Sequence, residues 1–99
     1  MLTREEILDF LKSHKEYFRE HFDVANIGIF GSFARDEQNE HSDIDVIVQF
    51  NKGATDLFEK RLDLKEYLQF QLGRQVDICH KYAIKPVFRD LIFNEAIYA

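Results

Sequence analysis

Three acids stand in or beside runs that are otherwise apolar and β-branched. Asp43 and Asp45 lie in Ser42-Asp43-Ile44-Asp45-Val46, and Asp77 lies in Val76-Asp77-Ile78. Residues two apart on a strand point to one face, roughly 6.6 Å apart along the backbone. The Asp43 and Asp45 carboxylates can therefore converge on one cation, and Asp77 joins them if its strand is a neighbour. Hard oxygen donors of this type suit magnesium or manganese. Clustered acids repel, and without a cation one or more tends to keep its proton. Two divalent ions roughly 3.5–4 Å apart would neutralise the acids and clamp the attacking and leaving oxygens of an in-line displacement. Nearby, Phe30-Gly31-Ser32 ends an earlier strand. Gly31 removes the side chain where a backbone must approach a ligand closely. If Ser32 opens a helical turn, its N–H and hydroxyl face outward and form a nook suited to a phosphate.

Each piece has a plainer reading when taken alone. A Gly-Ser after a strand is commonly a turn, and an Asp-x-Asp is commonly a solvated strand end. Together they are harder to explain structurally, because unpaired charge among apolar residues is costly. Lys52, Lys60, Lys81, Lys85 and Arg89 read as solvated surface. His80, three residues after Asp77, should point to the opposite sheet face. His41 reads as a loop bystander, and Cys79 as a small buried apolar residue.

The elements that must position these residues can be traced from local signals. Thr3 followed by Glu6 is a capping box. Ile7, Phe10, Leu11 and Phe18 then predict one helix from about Arg4 to about Glu20. Ala25 to Phe30 reads as a strand, Ser32 to Arg35 as a short helical turn, and Asp36 to His41 as a loop. Asp43 to Phe50 reads as a central strand covered on both faces. Its direct connection to the preceding strand favours an antiparallel pair. Asn51 to Ala54 is a turn, and Thr55 is the expected N-cap of a long helix ending at Gly73. On that helix Leu57, Phe58, Leu62, Leu64, Leu68 and Leu72 share one side, with Arg61 and Lys65 inside the same apolar arc. Gln75 to Cys79 is a short strand. Pro86 opens a final helix carrying Val87, Phe88, Leu91 and Ile92. The order helix, strand, strand, helix, strand, helix predicts an α/β sandwich, with a small mixed sheet of three or more strands flanked by helices.

Composition bounds the rest. Ninety-nine residues suit one domain, and 45% apolar content argues against disorder. A net charge of −5 argues against a tightly held polynucleotide. A nucleotide carrying its own metal ions escapes that argument, because the ions supply the positive charge. The ten Phe are many for the length, and some are expected at a partner surface. One cysteine excludes an internal disulfide. The charged start and the lack of a membrane-length apolar run predict a soluble, cytoplasmic protein. Oligomeric state, whether homo- or hetero-oligomer, is left open.

The combined pattern resembles a known family. An apolar residue, Gly-Ser, ten residues and then Asp-apolar-Asp-apolar is the signature of the DNA polymerase beta-like nucleotidyltransferase superfamily, here Phe30-Gly31-Ser32 followed by Asp43-Ile44-Asp45-Val46. The fuller string Gly31-Ser32-Phe33-Ala34-Arg35 with Ser42-Asp43-Ile44-Asp45 looks like the minimal nucleotidyltransferase subgroup. The long helix, Gly73 and the Asp77 strand follow in that subgroup's order, so the resemblance spans nearly the whole chain. It implies a polymerase-beta-like palm, with 1–99 as a single domain. It also implies that Asp43 and Asp45 hold two Mg²⁺ (or Mn²⁺) ions. Asp77 would bind the catalytic metal and help deprotonate or orient the attacking hydroxyl. Gly31 and Ser32 would cradle the triphosphate of ATP, with Arg35 supporting the phosphates or the loop, and Ser42 completing the nucleotide-binding set. The family's usual glycine after that arginine is Asp36 here, a departure that bears on the loop rather than on the acids.

Family members of this length look like antitoxins paired with an all-helical HEPN-type RNase toxin. They resemble adenylyltransferases that move AMP from ATP to a toxin tyrosine. A bare catalytic palm has little surface to recognise an acceptor, so acceptor specificity is expected from the partner. Phe93 and Tyr98, beyond the main apolar side of the last helix, are candidate contacts. Two alternatives stay open: a catalytically silent antitoxin acting by binding alone, and transfer to a small molecule such as an aminoglycoside. Relatives of the second kind look larger.

Overall fold

The computed structural model describes residues 2–99. Thr3 caps the first helix, α1 (Arg4–Ser13), through the expected box: Glu6 N–H donates to Thr3 Oγ1 and Thr3 N–H donates to Glu6 Oε1. The single helix expected to about Glu20 is broken at His14, and a second helix, α2, runs Lys15–Phe22. The cause is local. Ser13 Oγ donates to Asp9 O at 2.7 Å, and the His14 ring sits 2.8 Å from Phe10 O. Side chains that take backbone carbonyls in this way compete with helix continuation. The break lets Phe18 and Phe22 of α2 be buried alongside Ile7 and Leu11 of α1.

Strand β1 (Val24–Phe30) leads into a one-turn helix, α3 (Gly31–Ala34), and then strand β2 (Ile44–Phe50). Helix α4 (Leu57–Leu72) crosses over to β3 (Val76–His80). A 3₁₀ turn and helix α5 (Pro86–Glu95) follow. The chain ends in a short strand, β4 (Ile97–Tyr98), which the sequence pattern did not reveal. The sheet order is β3-β2-β1-β4. β1 is antiparallel to both β2 and β4, whereas β2 and β3 are parallel, as the α4 crossover requires. This is the mixed, helix-flanked sheet expected.

One face of the sheet carries Ile27, Ile29, Val46, Val48 and Val76, packed against α1, α2 and α4. Phe18, Phe22, Phe33 and Phe50 are buried in the core, whereas Phe58, Phe70, Phe88 and Phe93 are exposed. Tyr67 of α4 stacks on Tyr17 at 5.0 Å and meets Phe18 edge-on at 6.2 Å.

Two helix expectations need correction. The α4 N-cap is Asp56, at φ 56° and without a side-chain cap bond, rather than Thr55. Nor is the apolar arc of α4 one buried side: Leu64 and Leu68 are buried, but Leu57, Phe58 and Leu62 are exposed. One helix here meets two environments. Its first half, with Phe58, Arg61, Leu62 and Lys65, lines a cavity of about 230 Å³ together with Asp77 and Ile78. Arg61 and Lys65 interrupt the arc because that stretch walls a cavity instead of a core. On α5, likewise, Val87, Phe88 and Leu91 are exposed and only Ile92 of the expected side is half-buried.

Gly28 permits β4 to dock. A Cβ there would stand 2.5 Å from Ile97 O and 2.9 Å from Tyr98 Cα, a collision with backbone. Gly28→Ala is therefore expected to destabilise the fold by about 1–3 kcal/mol. The melting temperature followed by circular dichroism should fall by about 4–8 °C for each kcal/mol. An unchanged melting temperature would contradict so close an approach.

Candidate active site

Asp45 and Asp77 occupy the same register on neighbouring parallel strands, and Ile44, Val46, Val76 and Ile78 alternate to the other face. Adjacent strands lie about 4.8 Å apart, so the two carboxylates stand side by side. Asp43 lies just before β2 and is exposed, though near enough for its charge to act on Asp45. Ile44 N–H donates to Gln75 O at 2.9 Å, which pins the start of this pairing. Phe30 pairs with Asp45 across β1 and β2, so the end of β1 arrives at the same place.

Gly31 follows at once, and its position is exacting. Its φ is +74°, and a Cβ added there would lie 2.1 Å from Asp45 Oδ2. The backbone thus touches the acid row where no other residue type fits. The Gly31-Ser32 turn and the acids are one site. Among the described residues, no protein hydrogen bond engages the Ser32 hydroxyl.

The loop between α3 and β2 is held by a residue that the sequence reading passed over. Arg74 Nη1 donates to Ser42 O at 2.8 Å and to the carbonyls of Asn39 and Glu40 at 3.1 and 3.2 Å. Its guanidinium lies 5.4 Å from the centroid of the buried Phe33 ring. The Ser42 hydroxyl closes the same loop by accepting Asn39 N–H at 2.9 Å. Asp36, where the family resemblance has glycine, takes φ +58° and is exposed to solvent. A left-handed turn explains a preference for glycine, and Asp is among the few residues that tolerate it.

Arg35 is held by two carboxylates: its Nη1 donates to Glu95 Oε2 at 2.9 Å and its Nε to Glu37 Oε2 at 3.2 Å. These partners raise its pKa and hold it protonated. Glu95, also passed over, accepts the Gly31 N–H at 2.9 Å with its other oxygen. Lys60 is paired with Asp23, away from the acids. Cys79 has its thiol pKa raised, chiefly by burial, as suits an inert thiol. His80 points to the opposite face from Asp77, as expected, and stacks on Phe50 at 5.4 Å.

The charge balance is uneven. Asp45 is pushed up to about 6, first by burial and then by the negative charges of Asp77, Asp43 and Glu95, with Arg35 as partial relief. Oxygen donors with surplus negative charge fit divalent cations, but the described residues contain no group of three His, Cys, Asp or Glu placed to hold a metal ion.

A nucleotidyltransferase domain model matches residues 11–99. The chain is 41% identical over 98 residues to the protein adenylyltransferase MntA of Thermococcus cleftensis, covering 99% of this chain and 97% of that relative. The chain belongs to the nucleotidyltransferase family. A solved structure described as a candidate minimal nucleotidyltransferase superposes with a TM-score of 0.79 at 30% identity, covering 97% of this chain and 95% of that one. The fold is shared with a solved toxin–antitoxin structure containing AMP-PNP, at a TM-score of 0.69 and 21% identity, over 98% of this chain and 72% of that one.

The electrostatics of this nucleotidyltransferase carry a pH signature. A carboxyl raised from 3.8 to about 6 in the fold contributes stability that is complete below pH 3.8 and is lost as pH rises through about 6. Asp45→Asn removes that loss. In EDTA, the variant should melt higher than the parent at pH 7.5, by about 4–8 °C for a gain of about 1 kcal/mol after allowance for solvent screening. The gap should shrink toward pH 4. A gap that is constant with pH, or that widens in acid, would show that Asp45 is not the strained group.

Proposed function

We propose that this chain, as one catalytic domain, transfers AMP from ATP to a tyrosine hydroxyl of a HEPN-type helical toxin and so acts as its antitoxin. The carrying observation is that the Gly31 backbone touches Asp45 while Asp45 stands in register with Asp77. A phosphate chain at Gly31-Ser32 would then lie directly against a row of metal-binding acids. The name of the 41%-identical relative supports a protein acceptor, and the toxin–antitoxin structure that shares the fold supports the nature of the partner.

The geometry supports a division of labour among these residues. Ser32 N–H and its hydroxyl would hold the outer phosphates, where the glycine leaves room for close approach. Asp43, Asp45 and Asp77 would hold two magnesium ions. When bound, these ions would neutralise charge at the α-phosphate and on the leaving pyrophosphate. Asp77 sits at the β3 side of the row, beside the cavity walled by Phe58, Arg61, Leu62 and Lys65, and would receive the acceptor hydroxyl. The tyrosine oxygen bonds to the α-phosphorus and its proton passes to the Asp77 carboxylate. The bond from that phosphorus to the bridging oxygen breaks, and pyrophosphate leaves.

The acceptor must be delivered by a partner that packs on the outside. No helix of the described residues is long and apolar enough to cross a membrane. Even so, Val87 is 79% exposed, Leu91 63% and Phe58 69%. Exposed apolar residues of this kind fit a protein contact. The exposed side of α5 adds Val87 and Leu91 to Phe93 and Tyr98, the contacts expected from the sequence.

Incubating chain and partner with ATP and magnesium should add an AMP mass to the partner, on tyrosine. Asp43→Asn or Asp77→Asn should slow labelling by at least about 100-fold while the circular dichroism spectrum stays parental. EDTA should have the same effect. Labelling by either variant at the parental rate would rule out this mechanism.

A further inference from the structure

Glu95 lies in none of the motifs above, yet it joins the two ends of α3. It is the last residue of α5, and its side chain is only 16% exposed. One carboxylate oxygen accepts Gly31 N–H and the other accepts Arg35 Nη1, each at 2.9 Å. Gly31 opens α3 and Arg35 follows its last residue. The position of Glu95 is set by the strand after it. Ile97 and Tyr98 pair with Ile29 and Gly28 of β1, and Ala99 N–H donates to Ile27 O at 2.9 Å. The end of α5 is thereby delivered to the end of β1, where the glycine turn begins.

Glycine has more backbone conformations open to it than any other residue, and the contact of Gly31 with Asp45 requires one of them, at φ +74°. Something must hold it. We propose that Glu95 is a positioning residue: it clamps the Gly31–Arg35 turn against Asp45 and so orders the phosphate cradle before the nucleotide arrives. This rests on the nucleotidyl-transfer reading. Arg35 then serves as the counter-charge that lets a fourth carboxylate stay beside the acid row. The clamp uses the Gly31 amide and leaves the Ser32 hydroxyl free, which separates holding the turn from gripping phosphate. Pre-ordering of this kind acts by lowering the cost of binding.

The test uses the full chain with Glu95→Ala and the near-isosteric Glu95→Gln, which keeps one acceptor oxygen and loses the charge. Without nucleotide, the Gly31 amide should exchange faster with deuterium in Glu95→Ala than in the parent, as read by NMR. Calorimetry with magnesium and AMP-PNP should show affinity falling about tenfold for Glu95→Ala and about threefold for Glu95→Gln. In the transfer assay, KM for ATP should rise by more than kcat falls. Parental affinity and amide exchange in a destabilised Glu95→Ala would reduce Glu95 to a fold residue and overturn the proposal. Tighter binding would also overturn it, since the carboxylate would then be a competitor for the phosphate position. If Glu95→Ala does not fold, Glu95→Gln decides on the same criteria. A parent that transfers no AMP sinks the proposed function and leaves the amide result standing. An active parent with unaffected variants sinks only the clamp.

Discussion

Two like-charged carboxylates on adjacent strands repel, and the β2–β3 pairing holds Asp45 and Asp77 at one register regardless. The rest of the molecule is organised around keeping that unfavourable placement. On the reverse face, Val46, Val76 and their neighbours are buried against helices, so a shift of register by one residue would turn acids into the core and valines out. Apolar burial therefore fixes the position of the charges. The energy that holds the acids together comes from hydrophobic packing on the other side of the sheet.

Around this row the chain adds restraints at each open end. Arg74 ties down the loop leading to Asp43 by gathering three carbonyls. Gly28 admits β4, and β4 brings Glu95 to the glycine turn. The result is an acidic site on an acidic protein of net charge −5. In the proposed reading, that balance makes sense only when cations arrive with the nucleotide, since acids alone repel a triphosphate. In the same proposed reading, exposed apolar residues of α5 and of the first half of α4 would take part in recognising the acceptor.

Strand geometry has a period of two, and that made the opposite facing of Asp77 and His80 legible in the sequence. Asp43 falls just before β2, so the same rule does not by itself set it on the face of Asp45. The glycine at position 31 was legible because the site needs a backbone without a side chain. The later restraints were not. Glu95 acts on Arg35 across 60 positions, and nothing local to either residue signals the pairing. It depends on a two-residue strand too short to leave a hydrophobic pattern. Arg74 was hidden by distance along the chain as well, since the carbonyls it gathers lie 32 to 35 positions away. The break at His14 escaped because the apolar spacing continues through it, and only side-chain bonds to the preceding carbonyls divide the helix. The arc on α4 was read as one buried side because periodicity reports a face but not what covers each half of it.

In the proposed reading, Asp43, Asp45 and Asp77 hold divalent ions against a phosphate chain seated on Gly31-Ser32. Crystals grown with manganese and a non-hydrolysable ATP analogue test it most directly, since manganese can be located by its anomalous scattering. The account predicts two peaks roughly 3.5–4 Å apart within bonding distance of these carboxylates, with the outer phosphates at the Ser32 N–H. Manganese bound elsewhere, or a nucleotide seated away from the glycine turn, would contradict it.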